Sequence, residues 1–239
     1  MTLERIALMV VGAHAGDAEN MAGAIAAKYG HSGHNVFLVH MTLGERGNPK
    51  IPMEEYAKQK RRESERAATL LRATPVWLTY RDGEIPGGPE PRRTVAELIR
   101  RHRPDIVITH WRRSMHRDHS LASVATEEAV LDAALKEMGS SYAPHAVKAL
   151  YFAENWEDTP GFEPELLIDV SDHIDIWKDA LESYEFARGL SGFNYLEYYT
   201  CLMRLHGLRS GVKYAEALMR EEHSRQIAAD YIPLKINFL

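Results

Sequence analysis

The chain is short of the features that place a protein in a special class at a glance. It has one cysteine, Cys201, so neither an internal disulfide nor a thiolate metal cluster can form; the thiol reads as buried and inert, in a reducing compartment. No apolar run approaches the roughly twenty residues needed to span a bilayer. Met1-Thr2-Leu3-Glu4-Arg5 leads into an apolar segment of strand length, without the h-region or cleavage site of a signal peptide. A cytoplasmic protein with no membrane partner is therefore expected. Nor is positive charge in excess: 29 Lys and Arg against 34 Asp and Glu give −5, with the basic residues scattered, which argues against a nucleic-acid partner. Lys60-Arg61-Arg62 is offset by Glu63 and Glu65 and reads as a solvated helix face. No repeat, low-complexity tract or linker divides the 239 residues, which predicts one domain over 1–239, and a 45% apolar fraction is enough to fill its core.

What is present is a repeated unit of apolar run, polar turn and helix. Ile6 to Val11 reads as strand one, followed by a helix from Ala18 to Tyr29; Val36 to Val39 is strand two, and a charged helix runs from Met53 to Arg72. Pro75 to Tyr80 is strand three, then a helix from Arg92 to Arg101, and Ile106 to Thr109 is strand four, with a helix from Ser120 to Met138. Val147 to Ala153 and Leu166 to Val170 are further strands whose sense the pattern leaves open. The tail reads as helical: Ile174 to Arg188, Tyr195 to His206 and a last segment from Tyr214 to Arg225. Parallel strands need crossovers, and right-handed ones nearly always win. The prediction is a single Rossmann-like, three-layer α/β domain with a mostly parallel sheet and a helical C-terminal segment.

Open α/β sheets keep their chemistry beyond the carboxyl ends of the strands, where the strand order reverses. If strands one and four are neighbours there, the turn Gly12-Ala13-His14-Ala15-Gly16-Asp17-Ala18-Glu19 meets His116-Arg117-Asp118-His119. Taken singly these residues have ordinary readings: His14 as a polar strand end, Asp17 as a helix N-cap, Asp118 as a cap for the following helix. Their coincidence after two parallel strands favours a site. Two imidazoles and a carboxylate suit Zn²⁺ with one open position, and Fe²⁺ or Mn²⁺ accept the same donors. A nucleotide site is disfavoured, because the first turn lacks a third glycine at phosphate-binding spacing and carries a carboxylate where bare N–H groups are needed.

These residues carry a resemblance. The first turn resembles the Ala-His-Pro-Asp-Asp-x-Glu signature of the LmbE-like, PIG-L-type de-N-acetylases, and His116-Arg117-Asp118-His119 resembles their His-Pro-Asp-His motif. Thr42-Leu43-Gly44-Glu45-Arg46-Gly47, Asp82-Gly83-Glu84, Thr109-His110-Trp111 and the stretch Gly211 to Ala217 extend the likeness in order along the chain. The resemblance implies a zinc-dependent hydrolase that removes an acetyl group from an N-acylated sugar conjugate, working as a homo-oligomer, a trimer or hexamer. It implies His14, Asp17 and His119 as metal ligands, His116 as the histidine that steadies the oxyanion, and Asp118 as an orienting residue beside the site. An arginine after strand two, Arg61 or Arg62, and Asp82 after strand three match its substrate contacts.

One departure stands out. The family's residue before the ligand Asp is a second Asp, the general base; here it is Gly16. General acid–base help is worth about 10²–10⁴-fold, so another carboxylate must serve or the reaction must be slow. Glu45 is the first candidate, Asp118 the second, and Glu19, which continues into the helix, is less suited. The alternatives are a protein that binds a metal and a small molecule without cleaving an amide, and a scaffold with no chemistry. His110 reads as a satisfied histidine behind the site, and Trp77, Trp111, Trp156 and Trp177 as core or interface residues.

Overall fold

The computed structural model describes residues 5–189 and 192–221. Among these residues, seven strands form one sheet in the order β3-β2-β1-β4-β5-β7-β6: β1 (Ala7–Gly12), β2 (Asn35–His40), β3 (Thr74–Trp77), β4 (Ile106–His110), β5 (Ala149–Ala153), β6 (Leu166–Asp169) and β7 (Ala215–Arg220). The first five pair in parallel; β7 runs antiparallel to both β5 and β6. Strand β1 is buried along its whole length, which is why it reads as an unbroken apolar run and not as an alternation. Its side chains still alternate between two cores. Leu8 and Val10 join Leu38, Ile108 and Trp177 on one face; Met9 and Val11 join Val39, Val107 and Ile99 on the other.

Among the described residues, six α-helices cover the faces: α1 (Asp17–His31), α2 (Met53–Leu70), α3 (Pro89–His102), α4 (Arg117–Ala134), α5 (Ile174–Leu181) and α6 (Tyr195–Ser210). The predicted layers are present, and so is the pairing of strands one and four. The register makes the carboxyl ends nearly flush: Trp77 lies opposite His40, His40 opposite Gly12, Val11 opposite Thr109 and His110 opposite Ala153. Five loops therefore leave the sheet at one level. Among the described residues, no helix is long and apolar enough to cross a membrane.

The tail differs from expectation. Ala215 to Arg220 is a strand, not the start of a helix over Tyr214 to Arg225, and 222–225 lie outside the described residues. Ala-Glu-Ala-Leu-Met-Arg favours a helix intrinsically, but a segment of six residues gains more by pairing with two strands and burying five side chains. Cys201 also differs: it lies exposed on α6, not in the core.

The strand β7 reaches the first helix through Glu216. Helix α1 breaks at Ala22 (φ −150°, ψ 22°), and Glu216 accepts the N–H groups of Ala24 (3.1 Å) and Ile25 (2.6 Å) just past the break. Complete burial pushes its carboxyl up to about 7 although both hydrogen bonds pull the other way. A carboxyl whose folded value exceeds its unfolded value binds more protons when folded, so its contribution is full below about 4.5 and is lost as pH rises through about 7. Relative to Glu216→Gln, the wild-type unfolding free energy is expected to fall by about 3 kcal/mol across that window, at 1.36 kcal/mol per unit. Denaturant titrations at several pH values measure it; a pH-independent difference would refute the assignment.

Candidate metal centre

The turn after β1 is closed by the Asp17 N–H donating to the His14 carbonyl (3.1 Å), while Asp17 Oδ2 accepts the His14 N–H (2.7 Å). Gly16 makes the bend possible at φ +108°, a left-handed value that side chains disfavour. Met41 and Thr42 of the loop after β2 donate to Gly12 and Ala13, locking that loop to the turn. From β4, His110 Nε2 accepts the Ala13 N–H (3.1 Å). His116 caps α4: its Nδ1 accepts the Asp118 N–H at 3.2 Å, which leaves Nε2 to carry the proton of the neutral ring.

These turns bring His14, Asp17, His116 and His119 into one cluster. Asp17 Oδ2 lies 3.1 Å from His14 Nδ1, 3.4 Å from His119 Nε2 and 3.2 Å from His110 Nε2. The His14 ring centroid is 4.6 Å from that of His116 and 5.2 Å from that of His119. His119 turns Nδ1 toward Asp158 Oδ1 (3.1 Å) and Glu157 Oε2 (3.2 Å), so Nε2 faces the cluster. Asp158 Oδ2 also holds His110 Nδ1 at 2.9 Å. A carboxylate behind an imidazole fixes the tautomer and orientation that a metal ligand needs.

The electrostatics suit a cation. Burial alone would lower the His14 imidazole, yet Asp17, Asp118 and Asp82 hold it well above its ordinary value. The same contest leaves His119 at about 9, with Asp17 and Asp158 outweighing burial. Asp17 is lowered in turn: burial would raise it, and His119 and His14 prevail. A field that retains protons on two buried imidazoles also stabilises a divalent ion in their place. His14 Nε2 and Asp118 Oδ1 are buried without a hydrogen bond; Asp82 Oδ1 approaches Nε2 to 3.2 Å, an ion-pair distance without hydrogen-bond geometry. Orphaned donors, imidazoles and carboxylates in one place fit a borderline metal ion such as Zn²⁺.

The cluster opens into a cavity of about 200 Å³ lined in part by Asp82, His116, Asn155, Glu157, Lys60 and Tyr195. Several predicted positions fall elsewhere. Glu45 does not line the cavity; its carboxylate accepts the Asp82 N–H (3.0 Å), tying the loops after β2 and β3 together. Asp118 Oδ2 accepts the Gly83 N–H (2.7 Å) and lies 3.5 Å from His14 Nε2. Glu19 is fully buried and accepts the Tyr184 hydroxyl hydrogen. Arg61 and Arg62 are exposed on α2 and away from the cavity, and Lys60 faces it instead. The helical phase explains this: Tyr56, Lys60, Ser64 and Ala67 share the buried stripe, so Lys60 does not belong to a solvated face. Trp156 lines the cavity, stacked on Phe193 at 4.6 Å, and is not simply a core residue.

Sequence reasoning missed Asn155, Glu157 and Asp158. Their signal is the run Glu154-Asn155-Trp156-Glu157-Asp158 directly after β5, which becomes informative once β5 is known to be parallel to β4.

Fold and cluster together define an α/β protein whose His and Asp side chains gather where the sheet order reverses, in groups that could hold a cation. Residues 9–130 match the PIG-L family, described as GlcNAc-PI de-N-acetylase, and the chain belongs to that family. It is 29% identical over 173 residues to a mycothiol S-conjugate amidase of Streptomyces coelicolor, a match that spans 59% of this chain and 59% of that protein. It is 27% identical over 217 residues to a diacetylchitobiose deacetylase of Thermococcus kodakarensis, covering 86% of this chain and 79% of that one. Among solved structures, GalB, the 4-carboxy-2-hydroxymuconate hydratase of Pseudomonas putida KT2440, shares the fold with a TM-score of 0.85 at 20% identity, covering 95% of this chain and all of that one.

Proposed function

We propose that this chain is a metal-dependent de-N-acetylase of an N-acylated amino-sugar conjugate. The observation that carries the reading is the meeting of His14, Asp17 and His119 around Asp17 Oδ2, at the floor of a cavity. These three would hold Zn²⁺, with Fe²⁺ or Mn²⁺ acceptable to the same donors. When bound, such an ion polarises an amide carbonyl and makes a water molecule acidic near neutral pH.

The remaining steps belong to the side chains. His116, with Nδ1 occupied by the Asp118 N–H, presents Nε2–H to the cavity and donates to the carbonyl oxygen as negative charge develops there. Glu157 replaces Glu45 as the proton carrier: it lines the cavity, and with one carboxylate oxygen 3.2 Å from His119 Nδ1 the other is left to take a proton from water and return it to the leaving amine. Asp158 and His110 keep His119 and Asp17 in place, and Asp82, which lines the cavity beside His14, orients the sugar.

Amine release from a panel of N-acetyl sugar conjugates tests the proposal. Activity is expected with zinc-loaded protein, absent after chelation and regained on adding Zn²⁺, with Glu157→Gln at least about a hundredfold slower in kcat. No amine release from any member of the panel would favour the second reading, a protein that binds metal and small molecule without cleaving an amide. Gly16 supports that reading, since it supplies no carboxylate at the usual position of the base.

A further inference from the structure

Lys60 is 5% exposed, yet it lines the cavity. Its Nζ lies 4.1 Å from the centroid of the Phe186 ring and 4.8 Å from that of Tyr184. Among the described residues, nothing accepts a hydrogen bond from it or forms an ion pair with it; Glu63, Asp17, Glu19 and Asp82 act on it only through space. Burial lowers the ammonium to about 8, so it is still mainly charged at neutral pH. A buried ammonium packed against two aromatic rings, with its carboxylate neighbours acting only from beyond contact, keeps its hydrogen-bond donors available.

Gly16 accounts for the missing partner. A Cβ at that position would lie 3.5 Å from Lys60 Nζ, so a carboxylate borne there would be within ion-pair reach. With glycine there is none, and the Phe186 ring, 2.7 Å from the same point, fills the space. A direct ion-pair partner can reach the ammonium from the cavity, by entering it. A carboxylate makes a charge-assisted bond to Nζ that a hydroxyl cannot match, and a dianion would be repelled more strongly than a monoanion by the carboxylates of Asp82 and Glu157, which also line the cavity. A single carboxylate matches.

We propose that Lys60 is a specificity-determining residue and that the N-acyl sugar substrate carries a carboxylate, which docks on Nζ beside Gly16. This rests on the deacetylase reading for the reaction but not for the binding, and the test separates the two. The zinc-loaded enzyme is assayed on N-acetylglucosamine and on N-acetylglucosaminuronic acid, which differ in the carboxylate. The expected result is a kcat/KM at least about tenfold higher for the acid, mainly through KM. Lys60→Met is expected to cut the acid's kcat/KM at least about tenfold more than the neutral sugar's, with Lys60→Arg retaining part of the preference. Equal losses on both substrates, or a wild-type preference for the neutral sugar, would overturn the proposal.

Calorimetry with glucuronate and glucose supplies a readout free of catalysis. If no amine is released from either substrate, but glucuronate binds the wild type at least about tenfold more tightly than Lys60→Met, the hydrolase reading fails and the carboxylate site stands. Glucuronate binding that ignores Lys60, or tighter Lys60-dependent binding of glucose 6-phosphate, overturns the carboxylate assignment.

Discussion

Asp17→Asn is expected to leave the protein folded but unable to hold a metal ion, with bound zinc falling from about one per chain to less than about a tenth and amine release falling at least about a thousandfold. One oxygen explains the size of the effect. Asp17 Oδ2 accepts the His14 N–H and lies within 3.4 Å of ring nitrogens on His14, His110 and His119. An amide in its place presents a neutral group to rings that the carboxylate now holds in a strongly negative field. Loss of the Lewis acid forfeits several kcal/mol of transition-state stabilisation, and each 1.36 kcal/mol is a decade in rate. Metal analysis of the purified variant together with its rate decides the matter: full zinc occupancy at the wild-type rate would dismiss His14, Asp17 and His119 as the ligand set.

Gly16→Asp is expected to harm the protein and not to improve it, even though it adds a carboxylate beside Asp17, within ion-pair reach of Lys60. The backbone there has φ +108°, and the new Cβ would lie 2.7 Å from two carbons of the Phe186 ring. Overpacking costs about 1–3 kcal/mol, and a side chain in a sparsely populated backbone region costs about the same again. A loss of about 2–6 kcal/mol of stability, with no gain in hydrolysis, is the expected result. Combining it with Phe186→Ala relieves the overlap, and the double variant is expected to unfold at a higher temperature than Gly16→Asp alone. Thermal unfolding of Gly16→Asp, Phe186→Ala and the double variant beside the wild type tests this; a stable and faster Gly16→Asp would show that Phe186 moves aside freely.

The sheet from β1 to β4 and the two turns that meet at its centre were legible because strands buried on both faces leave continuous apolar runs, and because paired His and Asp turns after two such runs are an uncommon coincidence. Three features were hidden for physical reasons. Ala215 to Arg220 has a helical composition overridden by pairing with two neighbours. Lys60 was masked by the charges beside it, although its spacing from Tyr56 and Ser64 marks it as inward. Glu157 and Asp158 follow a strand whose sense the pattern of apolar residues does not fix, so their place beside His119 depends on a long-range pairing.

The flush strand ends also decide which changes this architecture tolerates. A residue inserted within β1, β2 or β4 would shift the following turn by about 3.3 Å and invert the faces of its strand, dispersing the donors at a stroke. Lengthening the stretches 78–88 or 154–165 instead would recontour the walls of the cavity while leaving its floor on the same lattice of backbone pairs. The shape of the cavity can thus diverge through loop growth alone, with the His and Asp donors of its floor carried over unchanged from the sheet beneath them.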